Sequence, residues 1–266
     1  MTEVTGAVRL DVDGALAHLV VSRPHKRNAL DPAAAADLSG ALGQLESAVA
    51  RGRVRAAVVT GEGTAFCAGR DITGVDPTAE DPGRVLADVF NPLVQRLADL
   101  PVPTVAAVEG PALGVGLGLA LACDLVVAAE DARFGSPFAR LGAVLDSGAH
   151  LLLAERIGRP RTLELVYTGR LLTGTQAHQW GLVTTTTAPG RALAEADALA
   201  RTLADGPTLA FTASKRLLAR QRDESLGLPD VLAAEADAQR AAGSSADYVE
   251  GFAAFQAKRA PRFTGS

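Results

Sequence analysis

The sequence predicts an α/β protein, a mostly parallel sheet followed by an all-helical tail. Short apolar runs alternate with helical patterns up to about residue 187, two of these runs lead into glycine-rich turns, and every segment from Arg191 onward reads as helix. We therefore expect an α/β core over 1–190 and a helical C-terminal region over 191–266, packed on the core because no low-complexity linker separates them.

The elements follow in order. Val8 to Val12 and Ala15 to Val21 are two strands joined by Asp13-Gly14, a strong hairpin signal. The polar, proline-broken stretch from Ser22 to Leu30 is a loop, and Asp31-Pro32 opens a helix to about Val49, with Asp as N-cap and Pro in the first turn. Val54 to Thr60 is a buried strand, followed by the glycine-rich loop Gly61 to Ile72. Asp81-Pro82 starts a helix through Leu97, Thr104 to Val108 is a strand, and Gly110 to Gly118 is a second glycine-rich turn running into the short helix Leu117 to Ala122. Asp124 to Ala129 is another strand, helices alternate with loops from Ser147 to Trp180, and Leu182 to Thr187 is a last strand.

Composition narrows the function. The chain has 266 residues, 48% hydrophobic and 21% charged, a net charge of −4 and only two cysteines, so a disordered chain, a disulfide scaffold and a nucleic-acid binder are disfavoured. No apolar run reaches the ~18 residues of a membrane span, and the start MTEVTGAVRL does not read as a secretory leader, so a cytoplasmic enzyme is the expectation. Alanine is abundant and Arg outnumbers Lys, which a GC-rich genome explains. Four scattered histidines, His18, His25, His150 and His178, make no metal site, and Cys67 reads as a small buried hydrophobe.

Both glycine-rich turns sit at carboxyl ends of strands, where open α/β sheets bind ligands. If Arg70 and Val115 lie at their apices, the two N–H groups can converge on one oxygen as an oxyanion hole; ordinary βα turns are the plain alternative. Gly114-Val-Gly116-Leu-Gly118 with Glu130 downstream also imitates a dinucleotide fingerprint. Its spacing and the interposed Pro111-Ala-Leu speak against that reading.

Taken together, RPHKRNAL (23–30), AFCAGRDI (65–72), the stretch 103–137, YTGRLLTGTQAHQWGLV (167–183) and KRAPRF (258–263) resemble the enoyl-CoA hydratase/isomerase (crotonase) superfamily over nearly the whole chain. The resemblance implies a spiral of ββα units, a helical trimerisation region, homotrimers or dimers of trimers, acyl-CoA thioester substrates, and no cofactor beyond the coenzyme A of the substrate. It assigns the oxyanion-hole N–H groups to Arg70 and Val115, and CoA contacts to Lys26, Arg27, Ala29, the backbone near Ala68, and Lys258 and Phe263, the last two often from a neighbouring subunit. Asp71, Ile72, Phe90, Gly114 and Phe138 are expected to line the substrate pocket.

The departures are informative. Hydratases of the family carry two glutamates at positions that here are Gly118 and Phe138, so water handling by a carboxylate pair is not expected. A carboxylate stands instead at Asp146, where several isomerases of the superfamily have a catalytic Asp, although Asp146-Ser147 also reads as a helix N-cap. Phe90 to Leu97 and Arg240 to Gly265 look like the phenylacetate-pathway ring-epoxide isomerase branch. A dehalogenase branch pairs such an Asp with a histidine near position 91, which here is Asn91. The expected activity is a double-bond or ring-epoxide isomerisation with Asp146 as base. A hydratase and a non-catalytic acyl-CoA-binding protein are the alternatives.

Overall fold

In a computed structural model, described over residues 6–266, the chain forms two sheets wrapped by helices. Residues 1–5, the start of the stretch read above for a leader, lie outside the described residues. In chain order the elements are β1 (Val8–Asp13), β2 (Leu16–Val21), α1 (Pro32–Ala50), β3 (Ala56–Gly61), α2 (Pro82–Val85), a π-turn (Leu86–Phe90), α3 (Asn91–Ala98), β4 (Thr104–Val108), β5 (Pro111–Leu113), α4 (Val115–Ala122), β6 (Leu125–Ala129) and β7 (Arg133–Gly135). There follow α5 (Ala149–Thr168), β8 (Leu172–Thr173), α6 (Gly174–Trp180), β9 (Thr185–Thr187), α7 (Ala192–Ala204), α8 (Thr208–Glu224), α9 (Leu228–Ala242) and α10 (Ala246–Gln256).

The main sheet has the order β1-β2-β3-β4-β6-β9, with β1 antiparallel to β2 and every other pair parallel. A second sheet, β5-β7-β8, holds the short strands that sequence reading treated as turn or loop. Two or three residues give too short a pattern to recognise; these strands exist because neighbours supply their partners. Twice the chain repeats main strand, short strand, helix, as β4-β5-α4 and β6-β7-α5, which is the ββα spiral expected from the resemblance.

The central strands are buried on both faces, which explains their unbroken apolar runs. One face packs against α1, α3, α4 and α5 in the larger core. The other is covered by α7, whose Ala192, Ala196, Ala200 and Ala204 recur every four residues against Leu16, Val58, Val105 and Val127. Methyl-sized side chains on one helical stripe let α7 lie close on the sheet, so part of the alanine richness serves packing. It also makes α7 a layer of the core, although the sequence grouped it with the tail.

Local signals behave as the chemistry dictates. Asp31 accepts a hydrogen bond from the Ala34 N–H at 2.8 Å and caps α1, and Asp81 caps α2 through the Arg84 N–H at 3.1 Å. The helix expected over 81–97 is interrupted by the π-turn, so it is three segments rather than one. All eight residues of α4 are buried, and the Arg156 guanidinium meets its carboxyl end through Leu121 O at 2.6 Å and Cys123 O at 2.9 Å. Among the described residues no helix is long and apolar enough to cross a membrane.

Gly116 sits on α4 where an added Cβ would lie 2.2 Å from Cys67 O, whereas exposed Gly40 on α1 has nothing within 4 Å of that position. Gly116→Ala is therefore expected to lower unfolding free energy by about 3 kcal/mol or more, because backbone on both sides must move. Gly40→Ala should stabilise by ~0.5–1 kcal/mol. Urea denaturation of the two variants checks the contrast.

Candidate active site

Three of the stretches singled out in the sequence are hydrogen-bonded to one another. The 23–30 loop lies along 68–71, with Ala68 N–H donating to Arg27 O at 3.0 Å, Leu30 N–H to Gly69 O at 2.9 Å, and Asp71 N–H to Leu30 O at 2.9 Å. The other edge of the same segment lies along the second glycine turn, through Phe66 N–H to Glu109 O at 2.7 Å, Cys67 N–H to Pro111 O at 2.9 Å, and Leu113 N–H to Cys67 O at 3.0 Å. Gly114 N–H then reaches Gly135 O at 3.3 Å and Ser136 Oγ at 3.1 Å, which ties in the far end of the 103–137 stretch.

This ladder requires glycine at its crossing point. Gly69 and Gly114 have φ of 104° and 53°, and a Cβ built on Gly114 would lie 3.8 Å from the Gly69 Cα. The two turns therefore touch through backbone, directly before Arg70 and Val115. Leu30 bridges Arg70 in parallel fashion, an arrangement that turns Arg70's own N–H away from the ladder. Val115 is the first residue of α4, so its N–H has no acceptor within the helix. Neither N–H donates a hydrogen bond among the described residues. Two unspent donors side by side, one at a helix N-terminus, suit an oxygen that gains negative charge.

Asp146 stands in the turn before α5, within the field of the Arg70 guanidinium. Its carboxyl is pushed above the ordinary Asp range chiefly by burial; a hydrogen bond from Ser147 and the positive charge of Arg70 oppose that shift. Ser147 Oγ donates to Asp146 Oδ1 at 2.9 Å. The N-cap reading is not supported: α5 is capped by Gly148, at φ 74°, without any side-chain cap bond. Phe138 stands with its ring edge 3.5 Å from the Cβ position of Gly114, an apolar wall beside the turn. Phe90, expected in the pocket, is 2% exposed at the end of the π-turn and packs in the core.

Around the ladder is a charged collar. Lys26 Nζ lies 3.4 Å from Asp71 Oδ2, and Arg23 binds Asp31 at 2.5 Å. Hydrogen bonds from Thr73, with the Lys26 charge behind them, hold the Asp71 carboxyl at about 2. Arg70 is clasped by Glu80, with Nη1 to Oε1 at 2.7 Å, which folds the 71–80 segment back over the first turn. Those residues and Asp31 enclose a cleft of about 540 Å³. Arg27 and Lys26 are exposed, Ala29 is buried, and Ile72 is 60% exposed.

Sequence reading missed three positions. Asn28 is fully buried at φ 57° and ties the 23–30 loop to the first glycine turn, through Nδ2 to Glu62 O at 3.0 Å and Ala65 O at 2.6 Å. Its signal was Asn as a residue that tolerates left-handed backbone. Glu80 and Ser147 carry no local pattern that could have flagged them.

Phe263 is elsewhere, and Lys258 lies just past the end of α10. Arg55, just before the amino end of β3, donates from Nη1 to Phe263 O at 3.1 Å, whereas the first glycine turn leaves the carboxyl end of the same strand. Six residues of strand separate them by about 20 Å. The tail is held by Asp247, 3% exposed, which accepts from Thr264 N–H at 2.7 Å and Gly265 N–H at 2.9 Å. Tyr248, Phe252, Phe255 and Phe263 line an apolar cavity of about 430 Å³ there. Among the described residues no cluster of His, Cys, Asp and Glu could hold a metal ion.

Comparison with known proteins agrees with this geometry. A family model described as enoyl-CoA hydratase/isomerase matches residues 11–266. The chain belongs to the enoyl-CoA hydratase/isomerase family. The 1,2-epoxyphenylacetyl-CoA isomerase of Escherichia coli (strain K12) is 40% identical over 251 residues, covering 93% of this chain and 94% of its own. The 2,3-dehydroadipyl-CoA hydratase of the same organism is 35% identical, covering 93% and 94%. The crystal structure of an enoyl-CoA hydratase from Polaromonas sp. JS666 superposes with a TM-score of 0.89 at 32% identity, over 97% of this chain and all of that one. The chain is thus an acyl-CoA enzyme of the crotonase superfamily, of the hydratase/isomerase type.

Asp247→Ala removes the acceptor for two backbone N–H groups of the tail. Residues 258–266 should then be cleaved markedly faster in limited proteolysis, while the 6–190 fragment pattern stays unchanged.

Proposed function

We propose that this chain is an enoyl-CoA isomerase that moves a double bond, or rearranges a ring epoxide, through an enolate. The observation that carries the proposal is a part-buried carboxylate, Asp146, whose neighbour Ser147 packs on α4, where Gly118 and Phe138 supply no acid. The thioester oxygen accepts hydrogen bonds from the N–H groups of Arg70 and Val115. These donors stabilise negative charge on that oxygen, at roughly 2.7–4 kcal/mol for each donor, and so acidify the carbon next to the carbonyl. Asp146 takes the proton from C2 of a 3-enoyl thioester, the electron pair spreads into a dienolate, and the same carboxylic acid returns the proton to C4. The product is the 2-enoyl thioester, with no water consumed and no second acid required. Burial raises the affinity of Asp146 for the proton it must carry between the two carbons, and the adjacent Phe138 keeps that side apolar.

The CoA end is assigned to Lys26, Arg27, Ala29 and the backbone near Ala68, which flank the first turn. Asp71, Ile72 and Gly114 line the route to the hole. The Phe263 carbonyl is bound by Arg55 at the opposite end of β3 from the turn, so Lys258 and Phe263 would serve the site of a neighbouring subunit in a trimer or a dimer of trimers. No cofactor other than the substrate's CoA is proposed. The similarity to a 2,3-dehydroadipyl-CoA hydratase supports hydration as the second reading.

The deciding assay offers 3-enoyl-CoA and crotonyl-CoA to the wild type and to Asp146→Asn. The isomerase reading expects fast 3-enoyl turnover, negligible hydration, and a loss of about 10²–10⁴-fold in the variant. Ready hydration of crotonyl-CoA overturns it in favour of a hydratase. Binding of CoA without any turnover favours the non-catalytic alternative.

The pH dependence has a definite sign. Asp146 works as a base only when ionised, and its folded-state pKa lies above the ordinary value of 3.8. Turnover should therefore fall with decreasing pH, at a midpoint above the ordinary Asp value. For stability the sign is opposite: ionisation of Asp146 above that midpoint weakens the fold, so Asp146→Asn should be as stable as wild type or more so at pH 7. Profiles of kcat against pH, together with thermal melts, check both.

A further inference from the structure

Asp146 is held by contacts that its own sequence neighbourhood does not explain. Ser147 is 2% exposed and has φ 55°, a left-handed backbone that a residue bearing a Cβ seldom takes. Glycine would adopt this conformation freely, yet serine is present and its next neighbour, Gly148, is left-handed as well. What holds Ser147 there is α4. A Cβ placed on Gly118 would lie 2.4 Å from Ser147 O, 2.7 Å from Ser147 Cβ and 3.3 Å from Ser147 C. The serine thus occupies the space that any side chain at 118 would need. From that seat its Oγ donates to Asp146 Oδ1 at 2.9 Å, and the Asp146 carbonyl accepts the Ala149 N–H at 3.0 Å, which closes the turn onto α5.

We propose that Gly118 and Ser147 form a steric lock that aims Asp146, with Ser147 as the positioning residue and the absent side chain at 118 as its seat. The inference rests on the reading of Asp146 as the base and goes beyond it in one respect. In this chain a side chain at 118 would have to displace Ser147, and with it the carboxylate that Ser147 holds. The hydroxyl adds a second role: it stabilises the ionised form of Asp146 against the burial that opposes it.

Three substitutions test the lock alongside Asp146→Asn, with 3-enoyl-CoA as substrate. Gly118→Ala should lower kcat by about 100-fold, the scale of an ångström-sized misplacement, with KM little changed. Gly118→Ala combined with Ser147→Gly should recover about tenfold of that loss, because glycine lets the turn yield and cuts back the misplacement. Ser147→Ala keeps the Cβ and loses the donor, so the acid limb of the kcat–pH profile should move to higher pH at unchanged KM. A role in stability alone would not move that limb. A folded Gly118→Ala with wild-type kcat, or a Ser147→Ala limb that stays in place, overturns the lock. If Gly118→Ala does not fold, the Ser147→Ala profile decides. Full turnover by Asp146→Asn overturns the reading of the base itself, whereas an inactive Asp146→Asn beside wild-type behaviour of the other variants overturns the lock alone.

Discussion

The structure depends on one close approach between two backbones. The segment 66–71 must lie against 109–115 closely enough to exchange hydrogen bonds, and only glycine at 69, 114 and 116 permits it. A Cβ at Gly116 would sit 2.2 Å from Cys67 O, and one at Gly69 would sit 3.0 Å from Leu113 O. That contact fixes where α4 begins, and so where the Val115 N–H points. It also sets the position of Arg70, whose neighbours on both sides are engaged in the ladder with the 23–30 loop. The same constraint that closes the fold leaves the Arg70 and Val115 N–H groups without partners among the described residues, and these are the donors of the proposed oxyanion hole.

The rest of the molecule supports that contact from outside. The parallel sheet delivers both glycine turns at strand carboxyl ends, and α7 seals the far face with a stripe of alanines. Asn28 braces the first turn from below with two hydrogen bonds, while Glu80 clasps Arg70 from above. Arg156 meets the carboxyl end of α4, so the helix that carries Val115 at its start is held at both ends. The site is thereby built on rigid elements and on loops pinned by named bonds, which is the condition for preorganised donors.

Charge is used sparingly around the site. Asp71, Lys26, Arg23 and Asp31 neutralise one another in the collar, and Arg70 is matched by Glu80. Asp146 has no salt bridge of this kind. Its burial is opposed by a serine hydroxyl and by the field of Arg70 and His150, and the net effect raises its affinity for a proton. The absence of acids at 118 and 138 is consistent with a site that keeps one proton carrier and an apolar wall.

Much of this was legible in the sequence because it rests on local rules. The Asp13-Gly14 hairpin, the Asp31-Pro32 and Asp81-Pro82 helix starts, the buried strands and the glycine turns each follow from a few adjacent residues. Arg70 and Val115 emerge as candidates from the glycine turns, whereas Asp146 emerges only from the resemblance to the family. The tertiary structure decided what depends on residues distant in the chain. The three short strands of the second sheet, the π-turn that breaks the 82–98 helix, and the membership of α7 in the core come from partners that no local pattern announces. So does the seat of Ser147 on Gly118, where the room for one side chain is set by a helix some thirty residues away. Sequence by itself determined which groups this protein has for its chemistry; only packing decided which of them share a volume, because excluded volume acts between atoms in space and not along the chain.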